Sequence, residues 1–539
     1  MPVAFGSIEM DEVPMKRHFF LLSLFVIAAF LLPAQEDDVW TASLDKLASL
    51  MDLIERDYFQ DIESETLIYS SIKGMLQTLD PHSNFLDPSH FMRLREEYRG
   101  KYYGLGIMIQ KQEDRLVVIS PIEGGPASRL GIQAGDIISH INGESTKLIS
   151  STEAMMKLRG PKGTEVNITI VRDGLEEPLE FTIVREEIPL HSVPYAFMLD
   201  GETGYIFIRN FAESTTEEFE EKMKLLYKEG MKKLILDMRG NTGGTFVQSV
   251  EISDEFLPKG ARVVSILGRK KSYDKEFQAY RDNQHEDIPL VILINQGSAS
   301  APEIVSGAIK DNDRGLIVGD DSWGKGLVQT VFPLAPEAAV ALTTARYYTP
   351  SGRSIQRDYS SFEDYYLFKK ELPEEEREVR YTSTGRKVLG QGGISPDYKV
   401  SFVYSPLTSR LLSKGAFFSY ATRFANKRRP LPESFTFPDL VRDDEGESSQ
   451  KNLQADDFVV GAFILDDFKK YLKENSIDFE NEEFAKSEKE ITRELEREII
   501  SSLWGLELGL KAYRKSDPVV LKAIEVFPEA ITLAKRKSH

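Results

Sequence analysis

Short apolar runs alternate with helix-prone segments between residues 204 and 318, and this alternation constrains the fold more than any other feature. Runs that predict strands occur at residues 205–209, 233–238, 263–267, 290–294 and 316–318. Segments that predict helices lie at residues 215–229, 244–256 and 301–310. Strands and helices that alternate along a chain form a layered α/β fold, in which helices cover a sheet.

The regions on either side have different patterns and predict further domains. Residues 40–99 are helical in pattern, because apolar residues recur at intervals of three and four. Residues 100–187 change to short strands and glycine-containing turns, which predict a compact β-rich domain. Helix-prone sequence returns at 407–539, and a polar stretch at 355–395 predicts a solvated excursion. We therefore expect a multidomain α+β protein with its α/β-layer core at 188–402.

Composition excludes several classes of function. The 539 residues include 67 Lys+Arg and 86 Asp+Glu, for a net charge of −19, whereas nonspecific nucleic-acid binding needs a basic surface. The absence of cysteine excludes disulfide frameworks, thiolate zinc sites and cysteine nucleophiles. None of the seven histidines has the spacing of metal ligands. We expect no nucleic-acid partner, no metal and no cofactor.

The N-terminal segment, residues 1–34, has the pattern of an export signal. Lys16 and Arg17 precede a 14-residue apolar run at 19–32, and a basic region followed by an apolar run of 7–15 residues is typical of secretory signals. A spanning helix needs about 20 residues. The cleavage site is weak, so an uncleaved anchor stays open, and Met15 is an alternative start. We expect an exported protein, periplasmic or extracellular, whose only membrane contact is this segment.

A turn of small residues, 297–303, follows the apolar run at 290–294 and precedes a predicted helix. Ser300 and Glu303 fit an S-x-x-E capping box, and spacing alone favours this structural role. The same geometry suits a nucleophile. A serine at a helix N-terminus lies beside free backbone N–H groups, which can stabilise an oxyanion.

A serine nucleophile needs a base, and no motif pairs a histidine with Ser300. Lys325 lies between two glycines, where other groups can approach it closely and exclude water. Burial lowers the pKa of a lysine, which makes it a base near neutral pH. If a strand begins at residue 327, the amide of Gln329 can orient this lysine. The alternative for Lys325 is an exposed lysine in a turn.

Residues 319–326 nearly match a phosphate-binding P-loop. Gly326 occupies the position where the motif requires Ser or Thr, whose hydroxyl holds magnesium. Asp320 and Asp321 would also place two carboxylates in the phosphate cradle. Nucleotide binding is therefore not predicted.

A second glycine-rich turn, residues 237–244, follows the buried run at 233–238. The carboxyl end of a strand is a preferred place for a site in α/β folds. Its backbone N–H groups, that of Gly244 among them, can form half of an oxyanion hole. The structural alternative is a tight turn that needs positive φ angles.

The β-rich region begins with Tyr103-Gly104-Leu105-Gly106-Ile107, and Ala134-Gly135-Asp136-Ile137-Ile138 and Asn142-Gly143 follow. Together these motifs resemble a PDZ domain, whose glycine-rich loop binds a carboxylate and whose strand edge accepts a peptide. Residues expected to bind a substrate C-terminus are Gly104, Leu105, Gly106, Ile107, Met155 and Leu158. The structural alternative for the apolar four is the core of the domain.

The ordered set of motifs resembles the C-terminal processing (tail-specific) peptidases, a serine–lysine protease family with a PDZ domain. The motifs that carry the resemblance are GLGI, LDMRGNTGG, NQGSASAPEIVSGAI, GDDSWGKGLVQ and TTARYYTPSGRSIQ, and the resemblance covers residues 40 to 402. It implies a crotonase- or ClpP-like core, with Ser300 as nucleophile, Lys325 as base and Gln329 as assisting group. It places the oxyanion amides at Gly244 and Ala301. Pro302 departs from many relatives but leaves the Ala301 N–H intact.

The resemblance implies an exported endopeptidase that recognises the free, apolar C-termini of protein or peptide substrates. The rival hypothesis is a noncatalytic adaptor that keeps the fold and uses the PDZ-like domain and the helical tail as binding surfaces. The resemblance does not explain residues 407–539, whose helices are candidates for pairing with a second copy of the chain.

Overall fold

The computed structural model describes residues 37–122, 124–282, 285–335, 337–360, 365–366, 372–426, 440–442, 448–450, 455 and 458–536. The expected export segment, residues 1–34, lies outside the described residues. Within the described part, we find no helix with both the length and the apolarity that crossing a bilayer requires. The chain divides into two units, Met1–Leu79 and Asp80–His539.

The described residues of the first unit form two helices, α1 (Asp37–Asp57) and α2 (Ser64–Gln77). The three-and-four spacing of apolar residues explains why this segment is helical. Several of these side chains are exposed, Trp40 and Phe59 most of all.

The second unit opens with strand β1 (Asn84–Leu86) and helix α3 (Pro88–Arg99), and the β-rich domain follows. The strands of this domain are β2 (Lys101–Gly104), β3 (Ile107–Gln112), β4 (Arg115–Pro121), β5 (Ile137–Ile141), β6 (Glu144–Ser145), β7 (Glu165–Val171), β8 (Leu179–Val184) and β9 (Glu186–Pro189). Its helices are α4 (Pro126–Arg129) and α5 (Ser151–Leu158). The main sheet has the order β3-β4-β5-β7-β8, with β6 paired to β5, while β2 pairs with β9. Helix α5 begins with a capping box between Ser150 and Glu153.

The core is a layered α/β structure, so the predicted multidomain α+β fold is confirmed. Its strands are β10 (Tyr195–Met198), β11 (Thr203–Phe207), β12 (Lys233–Asp237), β13 (Arg262–Gly268), β14 (Lys275–Gln278), β15 (Leu290–Ile294), β16 (Leu316–Gly319), β17 (Leu327–Ala335), β18 (Ala338–Tyr348), β19 (Val379–Tyr381), β20 (Lys387–Leu389) and β21 (Tyr398–Lys399). Its helices are α6 (Thr215–Lys228), α7 (Phe246–Asp254) and α8 (Ala301–Asp311).

The central sheet has the order β10-β11-β12-β15-β16-β21, and every pair from β11 to β21 is parallel. All five residues of β15 are buried, as expected for a strand of a sheet covered on both faces. The strand predicted at 263–267 forms as β13 but lies in a second sheet, where it pairs antiparallel with β14 and β18.

The region 355–395 differs from its prediction as a solvated excursion. Its described part packs against the core, and Tyr365, Val388 and Ile394 are buried. The Tyr365 hydroxyl bonds to His82 Nε2 (2.6 Å) and accepts the Trp323 Nε1–H (3.0 Å). One aromatic and two aliphatic side chains, all buried, therefore hold the described part of this segment against the core.

The C-terminal extension is helical, as predicted. The helices in its described part are α9 (Pro406–Ser413), α10 (Ala416–Ala425), α11 (Ala462–Glu474), α12 (Asn481–Trp504), α13 (Leu506–Lys515) and α14 (Pro518–Arg536). Two short strands, β22 (Leu440–Arg442) and β23 (Ser448–Gln450), are also described there. Helices α9 to α12 enclose an apolar core of their own. Helix α14 instead packs on the central sheet.

The two faces of the central sheet are covered by different parts of the chain. Helices α6, α7 and α8 cover one face, against side chains such as Leu234 and Ile292. Helix α14 covers the other face, where Val520 and Phe527 pack against Ile235. Because neighbouring residues of a strand point to opposite faces, the last helix of the chain is needed to bury half of each central strand.

Substitution of Phe527, which is only 1% exposed, tests how much α14 contributes to the stability of the fold. We expect Phe527→Ala to lower the free energy of unfolding by about 3–5 kcal/mol, because it leaves a cavity between the helix and the sheet. Leu521, on the same helix, is half exposed, and Leu521→Ala is expected to cost less than about 1 kcal/mol. Urea unfolding of both variants measures this difference, and equal effects would show that α14 does not cover the core.

Candidate active site

A cavity of about 960 Å³ lies within the second unit at the carboxyl ends of the central strands. The residues expected at the catalytic site, namely Ser300, Ala301, Lys325, Gln329 and Gly244, all line it. They come from four separate segments, so the fold brings together residues up to 85 positions apart. The structure thus places the five in one site.

Ser300 is the residue immediately before helix α8 and has an unusual backbone conformation, with φ 65° and ψ −109°. This positive φ is costly for a residue other than glycine, by about 1–3 kcal/mol, and such strain is concentrated at functional sites. The Ser300 amide donates to the Glu303 carboxylate (2.7 Å), and the Glu303 amide donates to the Ser300 carbonyl (2.8 Å). The capping carboxylate therefore holds the strained residue in place.

The Glu303 side chain is fully buried and accepts more than the Ser300 amide. Its Oε1 atom accepts hydrogen bonds from Ser322 Oγ (2.6 Å) and the Gly324 amide (2.7 Å), and Oε2 accepts the Lys325 amide (3.0 Å). Burial raises the pKa of Glu303, and these hydrogen bonds oppose the shift. Sequence reasoning assigned Glu303 only a capping role; nothing in the spacing indicates that it also binds the 322–325 loop.

Lys325 is half-buried at the cavity wall, and its partial loss of solvation lowers the pKa of its amine. The nearby carboxylates of Glu303 and Asp80 oppose this shift. The Tyr347 hydroxyl bonds to the Lys325 carbonyl (2.7 Å) and approaches the Ser300 carbonyl (3.4 Å), so one phenol links the two segments. Lys325 is not the exposed turn lysine that the sequence left open.

The residues that argued against a P-loop have partners in the structure. The carboxylates of Asp320 and Asp321 form ion pairs with Lys399, at 3.3 and 2.6 Å. The loop after β16 is thus held by an ion pair rather than arranged around a phosphate.

Gln329 lines the cavity from strand β17, and its Nε2 donates to Thr343 Oγ1 (3.3 Å). Thr343 Oγ1 in turn donates to Asp80 Oδ1 (3.0 Å). Among the described residues, no hydrogen bond joins Ser300 Oγ, Lys325 Nζ and the Gln329 amide. Such bonds are often long in enzymes without substrate and shorten when the substrate binds.

The Gly244 and Ala301 amides have no acceptor among the residues that the structure describes. Gly244 has φ +146°, and a Cβ atom there would come within 2.0 Å of the Phe211 carbonyl oxygen, so only glycine fits. Asn241, which sequence reasoning missed, holds this turn. Its Oδ1 accepts the Gly243 amide (2.9 Å), and its carbonyl accepts the Ala299 amide (2.9 Å) beside Ser300.

His82 lies close to this site but has a different environment from Lys325. Burial and the nearby Lys325 charge lower the pKa of His82 to about 4, which makes its ring neutral at pH 7. Its Nε2 bonds to the Tyr365 hydroxyl. His82 is not among the residues that line the cavity.

The PDZ-like residues have two kinds of position. Leu105 and Leu158 are buried in the core of the β-rich domain, and Ile107 packs against that core. Gly104 ends strand β2, while Gly106 has φ +69° and its carbonyl accepts the Ile122 amide (2.8 Å). Of the six residues expected to bind a C-terminus, Met155 lies on the wall of the cavity.

Arg159, one residue past helix α5, is a cavity residue that sequence reasoning did not identify. Its guanidinium lies over the Tyr102 ring (4.2 Å) and forms an ion pair with Glu96 of helix α3. Met155 and Arg159 therefore give the β-rich domain a wall of the cavity that also contains Ser300.

Comparison with known proteins identifies three segments. Residues 202–360 match the model of peptidase family S41, residues 95–171 the PDZ domain, and residues 31–89 the N-terminal domain of the activating protease CtpB. A carboxy-terminal-processing protease of Bartonella bacilliformis is 38% identical over 347 residues, which cover 63% of this chain and 79% of that protein. The carboxy-terminal processing protease CtpA of Bacillus subtilis is 32% identical, over 62% and 72%. Among solved structures, the photosystem II D1 C-terminal processing protease is 27% identical, covers 66% and 86%, and has a TM-score of 0.35.

The strained backbone of Ser300 predicts an unusual order of stabilities. We expect Ser300→Gly to be more stable than Ser300→Ala by about 1 kcal/mol, because glycine adopts φ 65° without strain. Ser502, exposed within helix α12, is the matched control, and there glycine should be less stable than alanine by about 1 kcal/mol. Denaturant unfolding of the four variants checks this, and alanine being the more stable at both positions would disprove the strain.

Proposed function

Because this chain belongs to the carboxy-terminal-processing proteases of peptidase family S41, we propose that Ser300 is its nucleophile and Lys325 its general base. The chain is a serine-type peptidase with a PDZ domain. One observation carries the assignment of residues. A strained serine, a half-buried lysine and two amides that have no acceptor among the described residues line the same cavity.

In the proposed reaction, neutral Lys325 removes the proton from Ser300 Oγ as this oxygen attacks the scissile carbonyl carbon. The amides of Gly244 and Ala301 donate to the carbonyl oxygen, which becomes an oxyanion. Protonated Lys325 then gives its proton to the leaving amine, and an acyl-enzyme on Ser300 remains. A water molecule, deprotonated by Lys325, releases the acyl group and restores the serine.

The burial of Lys325 supports its role as base. A lysine in water is protonated at neutral pH, and a buried one loses its proton more readily because the charged form is poorly solvated. His82 is a weaker candidate, since its neutral ring bonds to Tyr365 and does not line the cavity. We assign Gln329 the role of orienting the lysine or the substrate from strand β17.

We propose that the PDZ domain recognises the free C-terminus of the substrate through residues 104–107. Leu105 and Leu158 are buried in the domain core, so an apolar surface for the tail rests on Ile107 and Met155, which are partly exposed. Helix α5 then connects the loop region to the cavity, because Leu158 packs in the domain core while Met155 faces the cavity. This arrangement favours substrates with apolar tails that extend from the PDZ domain toward Ser300.

We also propose that residues 16–32 export the protein or anchor it, as the basic and apolar pattern indicates. Pairing of two chains through residues 407–539 stays a prediction. In the described part of this region, many apolar side chains are buried within the same chain, in the tail core and against the central sheet.

Substitution of the proposed nucleophile and base tests the mechanism. We expect Ser300→Ala and Lys325→Met each to reduce kcat by about 10³-fold or more on a peptide with an apolar C-terminus. Ser145→Ala and Lys271→Met, at exposed positions, should retain wild-type rates. Equal, slow cleavage by wild type and both site variants would overturn the assignment and favour the noncatalytic adaptor.

Blocking the substrate carboxylate tests the capture step. We expect a peptide that ends in a carboxamide to show a KM at least about tenfold higher than its free-acid counterpart, because the amide cannot accept charge-assisted hydrogen bonds from the loop. The control is a second pair of peptides, both with a free C-terminal carboxylate, in which an internal glutamate is replaced by glutamine. This change removes one negative charge without altering the C-terminus. Equal KM values for the acid and the terminal amide would remove the PDZ capture step.

A further inference from the structure

A buried cluster of two acids and two arginines joins the glycine-rich turn at residues 237–244 to the C-terminal extension. Asp237 ends strand β12 and bonds to Arg239, whose Nη2 lies 2.6 Å from Asp237 Oδ2. The same Nη2 donates to Asp517 Oδ2 (2.8 Å), in the short link between helices α13 and α14. Arg514 of α13 also donates to Asp517 Oδ2 (2.9 Å). The two negative carboxylates and the two positive guanidinium groups thus give the cluster a net charge of zero.

The cluster is shielded from water, so its charges depend on each other. The side chains of Asp237 and Asp517 are 0% and 5% exposed, and those of Arg239 and Arg514 are 13% and 15% exposed. Tyr205, fully buried beside them, donates to Asp237 Oδ2 (2.7 Å) and accepts from Arg514 Nε (2.8 Å). Removing one member of such a set leaves an unpaired buried charge, which is strongly destabilising locally.

Arg239 also lies near the start of the glycine-rich turn at residues 237–244. The next residue, Gly240, donates its amide to Asn295 Oδ1 (2.9 Å). The Asn241 carbonyl accepts the Ala299 amide, and Asn241 Oδ1 accepts the Gly243 amide. The turn is therefore fixed at its start by Arg239 and along its length by bonds to the segment before Ser300.

We propose that Asp517 is a positioning residue for the peptidase reaction: by holding Arg239, it fixes the turn that presents the Gly244 amide to the oxyanion. This inference rests on the proposed role of Gly244. Asp517 lies 278 positions from Arg239 and reaches no group of the cavity, so it acts only through the arginine. The C-terminal extension is in this way part of the catalytic apparatus of this chain.

The test compares Asp517→Asn, in the full-length protein, with Glu525→Gln on the exposed side of helix α14. Asparagine keeps an acceptor for the Val519 amide, which donates to Asp517 Oδ1 (2.9 Å), but removes the charge that holds Arg239. We expect kcat to fall by about 10- to 100-fold with KM changed less than about twofold, because a displaced oxyanion donor affects the transition state alone. Glu525→Gln should leave both constants unchanged.

Two further variants separate positioning from general loss of structure. Asp517→Glu restores the carboxylate and is expected to bring kcat back to within about threefold of wild type. The double variant Asp517→Asn/Arg239→Gln should have the same kcat as Arg239→Gln alone, because Asp517 acts only through the guanidinium that Arg239→Gln already removes. Rates are compared at a temperature where thermal unfolding shows every variant to be folded.

Each outcome decides between the inference and the function on which it rests. The positioning role would be overturned if Asp517→Asn had the kcat of wild type, or if its KM rose while its kcat stayed unchanged. It would also be overturned if Asp517→Asn lowered the kcat of Arg239→Gln further, by the same factor as in wild type. If Ser300→Ala cleaved the peptide as fast as wild type, the proposed function itself would fail. An inactive Ser300→Ala together with a fully active Asp517→Asn would contradict this inference alone.

Discussion

The buried carboxylate of Glu303 accepts hydrogen bonds from the Ser300 amide, the Lys325 amide and two groups of the loop between residues 322 and 324. A carboxylate without water must be satisfied by the protein, and four donors around one group leave little freedom to any of them. The backbones of the proposed nucleophile, Ser300, and the proposed base, Lys325, are therefore held by the same carboxylate. The strained φ of Ser300 persists because this carboxylate holds the residue, and the Tyr347 hydroxyl links the same two segments from the other side.

The central sheet positions the segments that the Glu303 carboxylate holds together. Its parallel strands end beside the cavity, and the turn with Gly244, the segment with Ser300 and the loop with Lys325 follow strands β12, β15 and β16. Such an edge is a preferred site in open α/β sheets. The frame is completed by the last helix of the chain, which covers the face that helices α6 to α8 leave open.

The sequence predicted those parts of the molecule that depend on local pattern. The alternation of strands and helices indicated the layered core. The glycine turns marked Ser300, Lys325 and Gly244 as candidates, but the local pattern alone favoured structural roles for Ser300 and Lys325, and only the resemblance to a peptidase family implied catalytic ones. The sequence did not indicate that strand β13 leaves the central sheet, since pairing partners are not encoded in a local pattern. It could not indicate the contact between Arg239 and Asp517, which depends on packing between residues 278 positions apart. Charged residues at 355–395 suggested a solvated segment, whereas the burial of Tyr365, Val388 and Ile394 places its described part against the core.

The pH dependence of kcat/KM in wild type and in Glu303→Gln tests whether Glu303 keeps the proposed nucleophile Ser300 and the proposed base Lys325 aligned. A base acts when deprotonated, so wild-type kcat/KM should rise with pH through one ionisation below the usual lysine value of 10.5. The Glu303 charge raises the pKa of Lys325, so its removal should move this midpoint to lower pH. The plateau should fall by about 10²-fold, because an amide cannot accept all four donors and the two residues lose their alignment. If Glu303→Gln kept the wild-type plateau, or if its midpoint stayed in place or moved to higher pH, this role of Glu303 would be contradicted.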